Sequence, residues 1–407
     1  MDINRLKEYA ELIVKMGLRP EKGQEVMIMA GLDQIEFVRM VAELCYQEGA
    51  GKVQVDWQDM PLNKLAQIYQ TEEKLSSIED WELAKLKWRS ETLPCFLWLD
   101  SDDPDGMDGI DQGKRARAQM ARFPKIKPYR DAMENKYQWC IAGVPGVKWA
   151  KKVFPELTEV EAVEKLWEAI LQAARVDGNA ISNWQQHNKR IHELTAKLNS
   201  YQLAALEYKS ANGTDFHVGL MEQGVFAGAE EHDLSGRGFN PNIPSEEIFT
   251  TPKKGEADGV LVATKPLSWQ GSLIEDFSIR FENGKAVEVK ARKGQDALER
   301  MIAMDENAPY LGECALIDYD SPINQMNTLF YSTLYDENAS CHLALGRGFD
   351  VCVKDFSKYT ADELKALGVN DSMIHVDFMI GSADLEITGI TASGERVKIF
   401  QNGHWAI

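Results

Sequence analysis

The chain has 407 residues, 44% hydrophobic and 27% charged, an ordinary globular composition and long enough that two domains are the default expectation. Its 45 lysines and arginines against 64 aspartates and glutamates leave a formal charge of -19, so no broad basic surface exists for phosphates and nucleic acid is not an expected partner. No stretch approaches the roughly 18 apolar residues of a membrane helix, so no membrane partner is expected either.

The first residues, Met1-Asp2-Ile3-Asn4-Arg5, lead into an amphipathic pattern and not into the basic and then apolar build of a secretory signal. Six cysteines lie far apart without a Cys-x-x-Cys pair, too sparse for a disulfide scaffold, and are expected to be buried thiols of a cytoplasmic protein. Helical periodicity covers residues 3–17 and 32–49; in the second stretch Ile35, Val38, Val41, Ala42 and Cys45 share one face, with Gly49 at the stop. Short apolar runs at Glu25–Gly31, Lys52–Asp56, Cys95–Leu99 and Trp139–Gly143 alternate with helical sequence. Buried strands joined by crossover helices imply a mostly parallel sheet covered on both faces. Thr158 and Glu161 form a capping box that opens a helix striped with Val163, Leu166, Trp167, Ile170 and Leu171 and stopped at Gly178, and a further helix spans about 180–202.

After about residue 203 the period becomes twofold. Asp276–Phe281 and Ala286–Val289 flank Asn283-Gly284, the strongest short hairpin signal, and a second hairpin is expected at Ser393-Gly394. One helix interrupts this half at about 294–304. The expected architecture is an α/β domain with a mostly parallel sheet over 1–200 and a β-rich α+β domain over 201–407.

Common catalytic signatures are missing. There is no phosphate-binding Gly-x-x-x-x-Gly-Lys loop, no Gly-x-Ser-x-Gly elbow and no His-Glu-x-x-His, since Ala196 stands where His192-Glu193 would need a second histidine. Gly236-Arg237-Gly238 and Gly346-Arg347-Gly348 lack the third glycine of a dinucleotide site. The aspartates between Asp100 and Asp111 would put Ser101 and Gln112 at the ends of a calcium loop, where carboxylates are needed, so a solvated loop is the better reading.

The chemistry concentrates in the second half. In His375-Val376-Asp377-Phe378 the alternation of a strand puts His375 and Asp377 on one face, where two such groups can chelate one site. Alone, such a pair also occurs where a strand ends at a wet cleft. Its neighbours add weight: Asp336-Glu337 and His342 share one short segment, Glu313 precedes an apolar run, and Glu246-Glu247 follow Pro244. Acids in apolar surroundings are costly unless paired or bound to a cation. Three carboxylates and two imidazoles suit two divalent cations sharing a carboxylate and a hydroxide, with Zn, Co or Mn favoured over thiolate-loving metals and Mg a further option. Cys314 and Cys341 adjoin these residues without ligand spacing. A binuclear hydrolase is the reading.

Four segments carry a family resemblance: Asn242-Ile243-Pro244-Ser245-Glu246-Glu247-Ile248-Phe249-Thr250, Leu311-Gly312-Glu313, Asp336-Glu337-Asn338-Ala339-Ser340-Cys341-His342, and His375-Val376-Asp377-Phe378-Met379-Ile380-Gly381. In these the chain resembles the bacterial metallopeptidase family of aminopeptidases T, II and S. The resemblance implies an exopeptidase acting on peptides with a free N-terminus, two divalent metal ions per chain, and a homodimer. Carried over by position, Glu247, Glu313, His342, His375 and Asp377 are the implied metal ligands, and Glu337 an implied ligand or proton handler. Phe349 departs from the family, which has a tyrosine there, and removes a hydroxyl able to donate to an oxyanion.

For general base the candidates are Glu246 and Glu337, with Glu246 preferred because it adjoins an implied ligand on a non-helical path after Pro244. Trp269, Phe277, Tyr310, Tyr331 and Tyr335 could line a substrate pocket, although aromatic residues at this density are more often core. Two rivals remain at this level: a dimetal amide hydrolase acting on a non-peptide substrate, and a noncatalytic α/β protein that binds small molecules, whose only support is Phe349.

Overall fold

The computed structural model describes residues 1–407, which form two compact units. The first comprises Met1–Gln186 with Glu230–Pro244, the second His187–Ala229 with Ser245–Ile407.

In the first unit four strands, β1 (Glu25–Gly31), β2 (Lys52–Gln58), β3 (Cys95–Asp100) and β4 (Trp139–Gly143), pair in parallel in the order β2-β1-β3-β4. The short strand Asn242–Ile243 adds a fifth parallel member beside β4. Single-point boundaries near residue 200 do not contain this return of residues 230–244 to the first sheet. Tyr9, Phe37 and Trp167, from the helices Ile3–Leu12, Ile35–Gln47 and Glu159–Ala173, meet as an aromatic trio with centroids 5.6–6.2 Å apart.

The capping box forms as expected, with the Thr158 amide donating to Glu161 Oε2 at 3.0 Å and the Glu161 amide to Thr158 Oγ1 at 3.4 Å. Its helix buries Leu166, Ile170 and Leu171 completely, each worth about 1.5–3 kcal/mol. It stops at Ala173 and not at Gly178, because Arg175 already takes a left-handed backbone conformation (φ 57°). The first helix likewise changes early, into a π-helical turn over Ile13–Leu18. In the aspartate-rich stretch Asp111 caps the helix Gln112–Met133 by accepting from the Lys114 amide at 2.8 Å, and Asp105 pairs with Lys152 at the same distance.

The second unit is built on antiparallel strands. The hairpin Ser272–Glu282 to Lys285–Lys293 turns at Asn283 and Gly284, both at positive φ (49° and 81°), which is what a tight two-residue turn between right-twisted strands requires. The second hairpin joins Glu386–Thr391 to Arg396–Gln401 around Gly394, and the interrupting helix spans Gln295–Ile302. A separate five-stranded sheet runs in the order His375–Met379, His342–Gly346, Leu311–Leu316, Ile248–Thr250, Ala227–Gly228. One face of this sheet, with Cys314, Leu316, Leu343, Leu345, Val376 and Phe378, packs into the main core of the unit. Because side chains alternate along a strand, the residues between these point to the opposite face.

Candidate metal centre

That opposite face carries the sequence-predicted polar residues. Glu313 lies opposite Ala344, which in turn lies opposite Asp377, so the two acids stand in one row across three strands. His342 and His375 are each two residues along their strands from Ala344 and Asp377, and share the face. His342 pairs with Ala315, and Ala315 with Phe249, so Glu247, two residues before Phe249, falls on the same side.

The side chains converge. His375 Nε2 lies 3.0 Å from Glu313 Oε2 and 3.2 Å from Asp377 Oδ1; His342 Nε2 lies 3.4 Å from Glu247 Oε2 and 3.8 Å from Asp377 Oδ1. They form two sets, Glu247 with Glu313 and His342, and Glu313 with His375 and Asp377, in each of which the donor atoms lie within 4.8 Å of one another. Glu313 is common to both. Each imidazole is oriented from behind: His375 Nδ1 donates to the Arg347 carbonyl at 2.7 Å and His342 Nδ1 to the Ser340 carbonyl at 3.3 Å, leaving both Nε2 atoms facing the carboxylates.

The electrostatics show a buried surplus of acid. Burial pushes the Glu313 carboxyl up to about 7, opposed by His375 and reinforced by the Glu247 and Asp377 carboxylates. Burial would also raise Asp377, but His375 and His342 outweigh it and hold the group down at about 2. For His342 burial works against the charged ring, yet Glu247, Asp377 and Glu313 raise it to about 9. Burial raises Glu337 well above its ordinary value, and the Asp377, Glu247 and Glu313 carboxylates add to this. Buried carboxylates in excess of cations, beside imidazoles held by their Nδ1 atoms, fit the oxygen and nitrogen donor set of divalent metals.

Both thiols beside the centre are excluded from it. Cys314 points to the core face, and Cys341 exchanges contacts with the Ile317 amide and carbonyl at 3.3 Å. Phe349 packs its ring 4.8 Å from His375 and 5.3 Å from Phe249. Among the aromatic wall candidates, Tyr331 lines a small pocket with Leu267, Met379, Glu337 and Asp377, whereas Phe277 and Tyr335 are core.

Sequence reasoning missed the residues that support the acidic loop. Asn338, fully buried, accepts from the Glu246 amide through Oδ1 at 2.7 Å and donates through Nδ2 to the Leu334 carbonyl at 3.0 Å and to Glu337 Oε1 at 3.3 Å. His187 Nε2 donates to the Ser245 carbonyl at 2.7 Å. Asn338 lies inside the Asp336–His342 segment, but nothing in its spacing distinguishes a support from a core amide.

This face offers the donor set that a metal-dependent hydrolase would need. The family described as thermophilic metalloprotease (M29) matches residues 3–405, and the chain belongs to it. The chain is similar to aminopeptidase AmpS of Bacillus subtilis (strain 168), 42% identical over 99% of this chain and 98% of that one. It is 38% identical to aminopeptidase 2 of Geobacillus stearothermophilus, over 98% and 97% of the two chains. The solved structure of wild-type AmpT from Thermus thermophilus superposes with a TM-score of 0.90 at 37% identity, covering all of both chains.

Proposed function

We propose that this chain is an aminopeptidase that hydrolyses N-terminal residues from peptides with two divalent cations, Zn, Co or Mn, held in the second unit. The observation that carries the reading is the convergence of Glu247, Glu313, His342, His375 and Asp377 on one sheet face as two sets sharing Glu313. The names of the relatives support the peptide substrate, and the family supports the use of metal. In this reading Glu247 and His342 would hold one cation and His375 and Asp377 the other, with Glu313 available to both. Cations bound there would supply positive charge to polarise a peptide carbonyl and to acidify water.

The chain's own residues do the rest. A carboxylate must take a proton from water and return one to the leaving amine. Glu337 is the better placed of the two candidates, because it shares a pocket with Asp377 and feels the Glu247 and Glu313 carboxylates. Both candidates stand outside the two three-residue sets, and Glu246 is not among the residues that line that pocket. The surplus of acid supplies partners for a free α-ammonium, which is what would restrict the enzyme to N-termini. We place the protein in the cytoplasm, on the strength of its six buried thiols, and as a homodimer, following the family resemblance.

Elemental analysis of the reconstituted protein is expected to find about two divalent ions per chain, and aminoacyl anilides are expected to be cleaved while N-acetylated peptides are not. Absence of bound metal would remove the reading; cleavage of blocked substrates would replace it with a dimetal amide hydrolase.

A further inference from the structure

The Ser245–Glu246 peptide group is gripped at both ends. His187 donates to its carbonyl oxygen and Asn338 accepts from its N–H, each at 2.7 Å. The peptide lies one residue before Glu247, whose carboxylate stands 3.4 Å from His342 Nε2. Asn338 has a second duty, since its Nδ2 donates to Glu337 Oε1 at 3.3 Å, and its own carbonyl is fixed by Ser321 Oγ at 2.7 Å. One buried amide thus ties the segment bearing Glu247 to the segment bearing Glu337.

We infer that His187 and Asn338 are positioning residues, a two-sided clamp on the Ser245–Glu246 peptide that sets the Glu247 carboxylate for metal, with Asn338 also aiming Glu337. The inference rests on the metalloaminopeptidase reading and adds to it residues that touch neither cation nor substrate. A peptide plane held at O and at N–H cannot rotate about its flanking bonds without breaking one hydrogen bond, so the Cα of Glu246 is held in place one residue before Glu247, which narrows the paths by which the chain can present the Glu247 carboxylate. Groups that orient ligands from behind are worth about 10–100-fold in metal affinity or activity when removed.

The test strips the full-length protein with chelator and titrates Co2+ calorimetrically into wild type, H187A, H187Q, N338A, N338D and the double variant H187A/N338A, with thermal melting of each metal-free protein as the control for folding. H187A and N338A are expected to weaken Co2+ binding by about tenfold or more. H187Q, which keeps an amide donor for the Ser245 carbonyl, should recover most of that loss.

The double variant should bind no more weakly than the worse single variant, because both remove the same clamp. N338D keeps the acceptor for Glu246 and loses the donor to Glu337 and to the Leu334 carbonyl; with the melting curve checking the second loss, its Co2+ affinity should stay near wild type while kcat falls about tenfold or more and KM holds.

Folded variants with unchanged affinity, or single losses that multiply in the double variant, overturn the clamp. If the alanine variants do not fold, H187Q and N338D decide the matter: wild-type kcat in N338D, or an affinity loss in H187Q as large as tenfold, overturns it. A wild-type protein that binds none of Co2+, Zn2+ and Mn2+ sinks the dimetal reading and the clamp with it, which separates that failure from the others.

Discussion

Glu313 and Asp377 share one cross-strand neighbour: Ala344 stands opposite both, a single methyl group between two buried carboxylates. A larger side chain there would stand on the floor of the centre. A344V is expected to destabilise the protein by about 1–3 kcal/mol through overpacking of a site that is completely buried, and to lower metal content together with activity. Thermal melting and elemental analysis of the same preparation check both effects; normal metal content would separate Ala344 from the centre.

Glu337 and Glu246 make different demands on a glutamine scan. E337Q removes the carboxylate that shares a pocket with Asp377, so kcat should fall by about 10²–10⁴-fold with two metals retained. E246Q leaves the hydrogen bond from its backbone N–H to Asn338 Oδ1 intact and should cost far less. Steady-state kinetics beside metal analysis distinguish the two, and a larger loss in E246Q would reverse the assignment.

Phe349 presents an unreactive ring to His375 where the family resemblance implies a hydroxyl. F349Y adds one oxygen to a ring already seated between Phe249 and His375, and is expected to raise kcat about tenfold or more without changing metal content. Unchanged turnover in F349Y would mean that another group already donates to the oxyanion.

Asp233 anchors the segment that returns to the first sheet. Burial alone would raise its carboxyl, but hydrogen bonds from Ser235 and from the Ser235 and Arg237 amides, with the Arg237 guanidinium at 2.5 Å, bring it below the ordinary 3.8. The folded form therefore holds fewer protons than the unfolded chain. Its stabilising contribution is complete above pH 3.8 and is lost as pH falls through the depressed value. D233N should melt below wild type at pH 7, with the gap closing in acid; a gap independent of pH would show that the shape of the side chain matters and not its charge.

Much of the centre was legible because strand alternation is a strong signal: His375 and Asp377 had to share a face, and the same twofold period put Phe378 in the core. The alternation of β1 to β4 with helices was equally plain. The return of residues 230–244 was not, because Asn242–Ile243 is a two-residue strand with no periodicity of its own. The clamp was hidden for another reason. His187 and Asn338 act on backbone atoms of a distant segment, and bonds to a main chain leave no mark on the residue types around them. Pro124 and Pro128 inside the helix Gln112–Met133 show the converse, a local breaker signal overruled.

Glu313, His342, His375 and Asp377 depend on a pleat whose repeat is two residues. One residue gained or lost just before the His375–Met379 strand, where it slips the whole strand by one in register, would turn its histidine and aspartate into the hydrophobic layer and bring Val376 and Phe378 out in their place. In this fold the chemistry can vanish in a single insertion event that leaves the length and composition of the chain almost untouched, so sequences nearly identical to this one need not share its activity.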